Sequence, residues 1–317
     1  MNLFITTLES VAVLLGIGVV GFYIIKKEIL PGNILNVLSP LALEIALPSL
    51  IFARIVVNFT PEKYPDWWQL PLWWGLFTII SLGLTLCFMF FSKKKFRREF
   101  AISLFFQNAI FFPLAILAGI FSDDPSYILY LFFFTIFYPP LLFSTYFFFF
   151  KTKEKIKINF RKIVHPVLIA TTIAIILASL GLDISEDNLI VRIFIILGAM
   201  TIPLLFIILG GNIYNDFKNK GKLHLFEIAK FVIIKNFIFP LIFLGIILYF
   251  KEFIPFHIGI ILIIQSAVPP VTAIPIVTER AGGNRTIVNQ FIIASFSISL
   301  ISVPLMIYLF NQFFTMP

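Results

Sequence analysis

The sequence has 317 residues, of which 60% are hydrophobic and only 13% are charged, and its mean hydropathy is +1.02. Soluble domains are nearer half apolar and a quarter charged, so the composition excludes a soluble protein and indicates a polytopic membrane protein in a lipid bilayer. The net charge of +8 comes from short Lys and Arg clusters between apolar runs. Such clusters are typical of loops at lipid headgroups rather than of a nucleic-acid-binding surface.

The apolar runs predict membrane-spanning helices. About 20 apolar residues cross the hydrocarbon core as a helix, and with this length the sequence predicts an all-α fold of ten spans, numbered one to ten, without an inserted soluble domain. The predicted spans cover residues 3–25, 34–57, 70–91, 101–121, 127–150, 163–182, 189–214, 229–250, 256–278 and 286–314.

The basic residues predict the orientation of the chain in the membrane. Most of them lie in the loops after spans one, three, five, seven and nine, whereas the opposite loops contain only Lys63, Arg192 and Lys251. Because Lys and Arg are enriched in cytoplasmic loops, both termini of this multi-pass protein are predicted to lie on the extracellular or periplasmic side of the cell (inner) membrane.

Span nine is predicted to break near its centre. Pro269 and Pro270 stand side by side there, and a proline inside a helix removes a backbone hydrogen bond and clashes with the preceding turn. In lipid, a broken backbone persists only where protein or a water-lined cavity satisfies its polar groups. Gln265 and Ser266 precede the break and Thr272 follows it. Broken helices at the membrane midplane are typical of binding sites in secondary transporters.

Span four contains a related stretch, in which Gln107, Asn108 and Ala109 are followed by Pro113. Gln107 and Gln265 are 158 positions apart, half the length of the chain. This separation predicts an internal repeat in which the stretches in spans four and nine occupy equivalent positions.

An odd number of spans in each half requires the two halves to insert with opposite orientation. Residues 1–151 and 163–317 are therefore predicted to form inverted five-span repeats, joined by a basic cytoplasmic linker at 152–162. Inverted repeats with interrupted helices at equivalent positions are the pattern of secondary transporters.

The polar residues beside the two breaks form the candidate binding site. Asn108, Gln107, Gln265 and Ser266, together with half-helix N–H groups, are predicted to hold a carboxylate, because the positive end of a helix dipole favours an anion. Thr272 could add a hydroxyl. The alternative is that these side chains only join helices inside the bundle. The prolines predicted to form the breaks are Pro113, Pro269 and Pro270.

Four ionisable residues are candidates for coupling or gating. Glu44 lies near the middle of span two, where an acid is costly and predicts a proton relay or an ion pair. Lys235 is expected to snorkel to the cytoplasmic surface, with substrate contact as the alternative. Glu279 and Arg280, at the cytoplasmic end of span nine, are predicted to pair in a gate.

No cofactor, metal ion or ATP is expected. Cys87 is the only cysteine, the three histidines are far apart, and the sequence lacks the phosphate-binding pattern Gly-x-x-x-x-Gly-Lys-Ser/Thr. No nucleophile stands beside a His or Asp partner at membrane depth, so an intramembrane enzyme is not expected.

The order and spacing of several short motifs resemble those of the auxin efflux carriers and their bacterial or archaeal relatives. The motifs are Leu47-Pro48-Ser49-Leu50-Ile51-Phe52, Gln107-Asn108-Ala109 with Pro113-Leu114, Pro203-Leu204-Leu205 with Leu209-Gly210-Gly211, and Ala267-Val268-Pro269-Pro270 with Glu279-Arg280-Ala281-Gly282-Gly283-Asn284. The adjacent prolines depart from the commoner spacing in this family.

The resemblance implies a fold like that of the bile-acid/sodium symporters. Spans one, two, six and seven would form a scaffold and spans three to five and eight to ten a mobile core. Spans four and nine would cross as broken helices at the centre of that core. It also implies export of a small organic anion, a carboxylate such as malate or malonate or an auxin-like acid, and a homodimer formed through the scaffold.

The first hypothesis is therefore a carrier that exports an organic anion by alternating access. A sodium-coupled organic-anion importer of the bile-acid symporter type is the alternative within transport, and a channel or sensor is the alternative from a different class. Uniport, proton coupling through a group such as Glu44, and sodium coupling all stay open at this point.

Overall fold

The computed structural model describes residues 3–121, 124–150, 166–182, 184–218 and 223–314. The predicted linker at 152–162 lies outside the described residues. Within these ranges the regular elements are helices, and one isolated antiparallel bridge joins Gln107 to Pro270. The α-helices are α1 (Leu3–Lys26), α2 (Leu35–Pro40), α3 (Leu47–Asn58), α4 (Gln69–Phe88), α5 (Arg97–Phe105), α6 (Phe111–Ile120), α7 (Ser126–Phe134), α8 (Tyr138–Thr145), α9 (Pro166–Ser179), α10 (Leu189–Ala199), α11 (Thr201–Lys218), α12 (Leu225–Val232), α13 (Phe239–Tyr249), α14 (Phe256–Ala267), α15 (Ile274–Arg280) and α16 (Arg285–Phe313).

Several of these helices continue one another into membrane-length segments. A π-helical segment, Leu41–Ala46, joins α2 to α3, and another, Ile233–Ile238, joins α12 to α13. Among the described residues, seven helical segments are long and apolar enough to cross a membrane, and α6, α9 and α14 are shorter apolar helices. The chain is therefore a multi-pass, all-helical membrane protein.

Both predicted helix breaks are present. Residues 106–110 separate α5 from α6, and residues 268–273 separate α14 from α15. Pro269 and Pro270 lie inside the second break, as predicted. The prediction that Pro113 itself forms the first break is wrong. Pro113 is the third residue of α6, where a backbone N–H has no intrahelical partner to lose, so the unwound residues precede it.

A further interruption was not predicted. The segment predicted as span five is divided between α7 and α8, with residues 135–137 in turn conformation. Pro139 is the second residue of α8 and cannot donate a backbone hydrogen bond to Thr135. The Thr135 carbonyl oxygen accepts instead from the Tyr138 N–H at 2.9 Å.

Glycines let α1 and α11 approach each other at backbone distance. A Cβ atom on Gly210 would overlap the carbonyl oxygen of Gly18, and one on Gly21 would overlap the backbone of Ile207. Close approach of this kind stabilises helix pairs in membranes, where apolar burial gives little driving force. On other sides, α1 packs against α6 and α16. It therefore connects α11 to the half-helix that follows the first break.

The α1–α11 contact predicts opposite effects for two glycine-to-alanine substitutions. Gly210→Ala should lower the melting temperature of the detergent-purified protein by several degrees, because overpacking costs about 1–3 kcal/mol. The matched control is Gly245→Ala, where an added Cβ meets nothing within 4 Å and the better helix propensity of alanine gives a neutral or slightly stabilising effect. Equal melting temperatures for the two variants would contradict this account of the helix contact.

Candidate functional site

The two helix breaks face each other and pair through their backbones. The Asn108 N–H donates to the Pro269 carbonyl oxygen at 2.8 Å, and the Val271 N–H donates to the Phe106 carbonyl oxygen at 3.0 Å. We call residues 106–110 and 268–273 together the crossing. Each break thus supplies hydrogen-bond partners for backbone groups of the other break that have no partner within their own helix. A nonhelical segment inside a membrane requires such partners.

Amide side chains reinforce the crossing. Gln265 donates through Nε2 to the Ala109 carbonyl oxygen at 2.7 Å, and it accepts through Oε1 a bond of 3.2 Å from Gln107 Nε2. The hydroxyl of Tyr138 donates to the Gln107 carbonyl oxygen. The structure thus brings the two glutamines together as predicted, and their observed partners are those of the alternative role, in which amides join helices.

Asn108 is placed differently from the glutamines. Its Oδ1 accepts a long hydrogen bond of 3.4 Å from the Phe112 N–H, in the first turn of α6. An amide oxygen therefore occupies the position where the N-terminus of α6 would favour an anion. Ser266 is also buried, and its hydroxyl donates within its own helix to the Ile263 carbonyl oxygen at 2.8 Å. Thr272 is half-buried within the second break.

Lys235 lies beside the crossing, next to the end of α14. The expectation that its side chain snorkels to the cytoplasmic surface is wrong. It belongs to the π-helical segment Ile233–Ile238, its residue is only 2% exposed, and its Nζ lies 3.5 Å from the Ser266 carbonyl oxygen. Position along a predicted span gave no information on which way the side chain points, and the π-helical turn changes the helix face on which it lies.

The other ionisable candidates lie away from the crossing. Glu44 is on an exposed face of the π-helical segment Leu41–Ala46. The predicted pairing of Glu279 with Arg280 is wrong, because Glu279 pairs through Oε2 with Arg285 Nη1 at 2.8 Å. Glu279 and Arg285 are substantially exposed, and an exposed pair of this kind contributes little to stability.

Sequence reasoning missed two buried carboxylates that join distant parts of the chain. Glu99 accepts the Asn284 N–H at 2.9 Å, and Glu227 accepts bonds from the Ser92 hydroxyl at 2.7 Å and the Lys93 N–H at 3.1 Å. Both stand near basic residues in the sequence, where a carboxylate is usually exposed to solvent. The signal that could have found them is their position in the first turn of a helix.

Sequence reasoning also missed hydrogen bonds between polar side chains buried deep in the helix bundle. Asn236 donates to the Ser295 carbonyl oxygen at 3.1 Å and to the Ser302 hydroxyl at 3.2 Å, which links it to α16. Lys235 and Asn236 are two consecutive polar residues inside an apolar span. This pattern could have indicated that polar contacts lie there. Tyr138 offered none, because it stands in a run rich in aromatic residues.

A small cavity lies on the α4 side of the crossing. It has a volume of about 10 Å³ and is lined by Thr78, Ser81, Gln107 and Tyr138 among others. Ser81 Oγ is buried there without a hydrogen-bond partner. This space is about that of one water molecule, so the cavity can supply a bridging water but not hold an organic substrate.

The comparison with protein families agrees with this architecture. A family model described as membrane transport protein matches residues 6–307, which contain both breaks and every residue of the candidate site. The chain belongs to the auxin efflux carrier family. Auxin efflux carrier family members are transporters rather than enzymes, and a transport role follows for this member. A search of the curated proteins found no match.

The geometry of the crossing predicts a stability role for Gln265. Gln265→Leu should lower the melting temperature by several degrees, because it leaves the Ala109 carbonyl oxygen and Gln107 Nε2 buried without partners, at a cost of about 1–3 kcal/mol. Gln312→Leu, at an exposed position near the end of α16, is the control and should shift the melting temperature little. An unchanged melting temperature for Gln265→Leu would show that the amide bridge is not required.

Proposed function

We propose that this chain is a secondary carrier that exports a small organic anion of the mono- or dicarboxylate class, such as malate, malonate or an auxin-like acid, by alternating access. The single observation that carries the proposal is the crossing, where two broken helices meet through backbone hydrogen bonds and gather buried amides inside an otherwise apolar bundle. Membership of a transporter family supports the same function.

The proposed anion site is centred on the N-terminus of α6. Asn108 Oδ1 meets the Phe112 N–H at 3.4 Å, which is long for a hydrogen bond of this type. A carboxylate is a stronger acceptor than a neutral amide, so it would replace Asn108 Oδ1 at this N–H. The displaced Asn108 amide could then donate to the bound anion. Ser266 and Thr272 remain secondary candidates for contact with the substrate.

The proposal includes a division of the molecule into two moving parts. Ten spans would form inverted repeats at 1–151 and 163–317, with spans one, two, six and seven as the scaffold. The helix contacts support this division. In the proposed scaffold, α1 packs along α11 and α3 packs against α9 and α10. In the proposed core, α14 packs against α13 and α16. The core would shift along α1, with a second copy of the chain bound to the scaffold.

The substrate class is tested by ligand-induced stabilisation. Carboxylates from a panel containing malate, malonate and indole-3-acetate are added to purified protein, and the melting temperature is measured. A ligand that binds only the folded protein raises this temperature by mass action. We expect at least one carboxylate to stabilise the unmodified protein. We also expect [¹⁴C]malate-loaded proteoliposomes to lose label faster than loaded liposomes that contain no protein.

The variant Asn108→Ala tests whether the carboxylate binds at the crossing. This variant should lose the carboxylate-induced shift, whereas the control Asn36→Ala, at an exposed position, should keep it. If no carboxylate shifts the unmodified protein, the anion class is wrong. If Asn108→Ala responds as strongly as the unmodified protein, the anion binds elsewhere.

The orientation is also a proposal, with both termini outside the cell membrane. In a Cys87→Ser background, Lys63→Cys should react with a membrane-impermeant maleimide on intact cells, whereas Lys94→Cys should react only after permeabilisation. Both positions are exposed in the structure, so accessibility to the reagent depends on the side of the membrane. The reverse labelling pattern would contradict the charge-based orientation.

A further inference from the structure

A buried lysine lies beside the crossing, next to the end of α14. Lys235 is 2% exposed and lies inside the membrane-spanning segment Leu225–Tyr249. None of the ion pairs found in the described part of the chain involves Lys235. An ionisable group at such depth is expensive and usually functional, and short π-helical segments such as Ile233–Ile238 also occur frequently at functional sites.

The Lys235 ammonium faces the carbonyl end of a half-helix. Its Nζ lies 3.5 Å from the carbonyl oxygen of Ser266, the second-last residue of α14, and 5.5 Å from the centre of the Phe239 ring. The last carbonyl groups of a helix lack intrahelical partners and carry its partial negative charge. The aromatic face adds a second weak attraction for a cation. Both of these contacts are suited to a cation rather than to an anion.

We infer that Lys235 is a tethered cation, which supplies as part of the chain the positive charge that the carbonyl end of α14 would otherwise take from solution. In carriers with broken helices, unwound carbonyls and half-helix C-terminal ends coordinate Na⁺ or H⁺. Here a lysine side chain occupies such an end. Lys235 is thus a positioning residue that fixes the α14 side of the crossing rather than a substrate ligand.

The neighbouring elements favour this role over substrate contact. Lys235 is carried by the α12–α13 segment, which packs against α14 and α16. The half-helix proposed to bind the anion, α6, packs mainly against α1 and α7, and its contacts with α14 are fewer. The adjacent Asn236 is bound to Ser295 and Ser302 of α16, which fixes the backbone that presents the ammonium.

Chemical rescue tests the inference independently of any substrate. Lys235→Ala removes a propylammonium group and should lower the melting temperature by several degrees. Added propylammonium chloride should restore roughly half of that loss by mass action, while 1-propanol, which fills the same space without charge, should not. The unmodified protein and Lys251→Ala, at an exposed position, should respond to neither. Equal rescue by 1-propanol would reduce Lys235 to a space-filling residue and overturn the inference.

If Lys235→Ala does not fold, two further variants test whether the charge of Lys235 stabilises the protein. Lys235→Arg keeps a cation and should melt above Lys235→Met, which keeps the length and loses the charge. A Lys235→Met variant as stable as Lys235→Arg would overturn the inference. For transport, which rests on the proposed function, [¹⁴C]malate efflux should follow the same order. Absence of efflux from the unmodified protein would contradict the proposed function, while the melting experiments would still decide the role of Lys235.

Discussion

The structure depends on one constraint, which is that backbone N–H and carbonyl groups inside a membrane must be paired within the protein. Two helices break near their centres, and neither can satisfy the exposed groups alone. The bonds from Asn108 to Pro269 and from Val271 to Phe106 solve this problem for both breaks at once. The buried amides and the Tyr138 hydroxyl follow from the same need, since they bond the carbonyl groups that remain. A polar centre is thereby built inside an apolar bundle.

The rest of the bundle separates parts that are fixed from parts that could slide. Buried carboxylates tie segments far apart in sequence at the basic end, as Glu227 does for Ser92 and Lys93. Such bonds hold the proposed core as one unit. The contact of α1 with α6 brings the backbone of Gly119 directly against the side chain of Ser10. In the proposed alternating-access mechanism, this is the contact along which the core would move.

The sequence could predict those features that depend on local covalent geometry or on composition. The break at 268–273 followed from two adjacent prolines, and the helical, membrane-spanning character followed from hydropathy. The break at 106–110 could be inferred only through its similarity to the other one, and Pro113 was misplaced because proline is equally suited to the first turn of a helix. The burial of Lys235, the Glu279–Arg285 pair and the role of Tyr138 depend on side-chain direction and on contacts between distant segments. Linear spacing does not determine either of these.

The reciprocal pairing of the two breaks also has a consequence for synthesis. The partner of residues 106–110 lies about 160 positions later in the chain, so at about 5–20 residues per second the first break waits roughly 8–30 s for it. During that interval its backbone groups must be satisfied by water, lipid headgroups or the insertion machinery. The amino-terminal half is therefore incomplete as a folding unit until residues 268–273 have been synthesised and inserted.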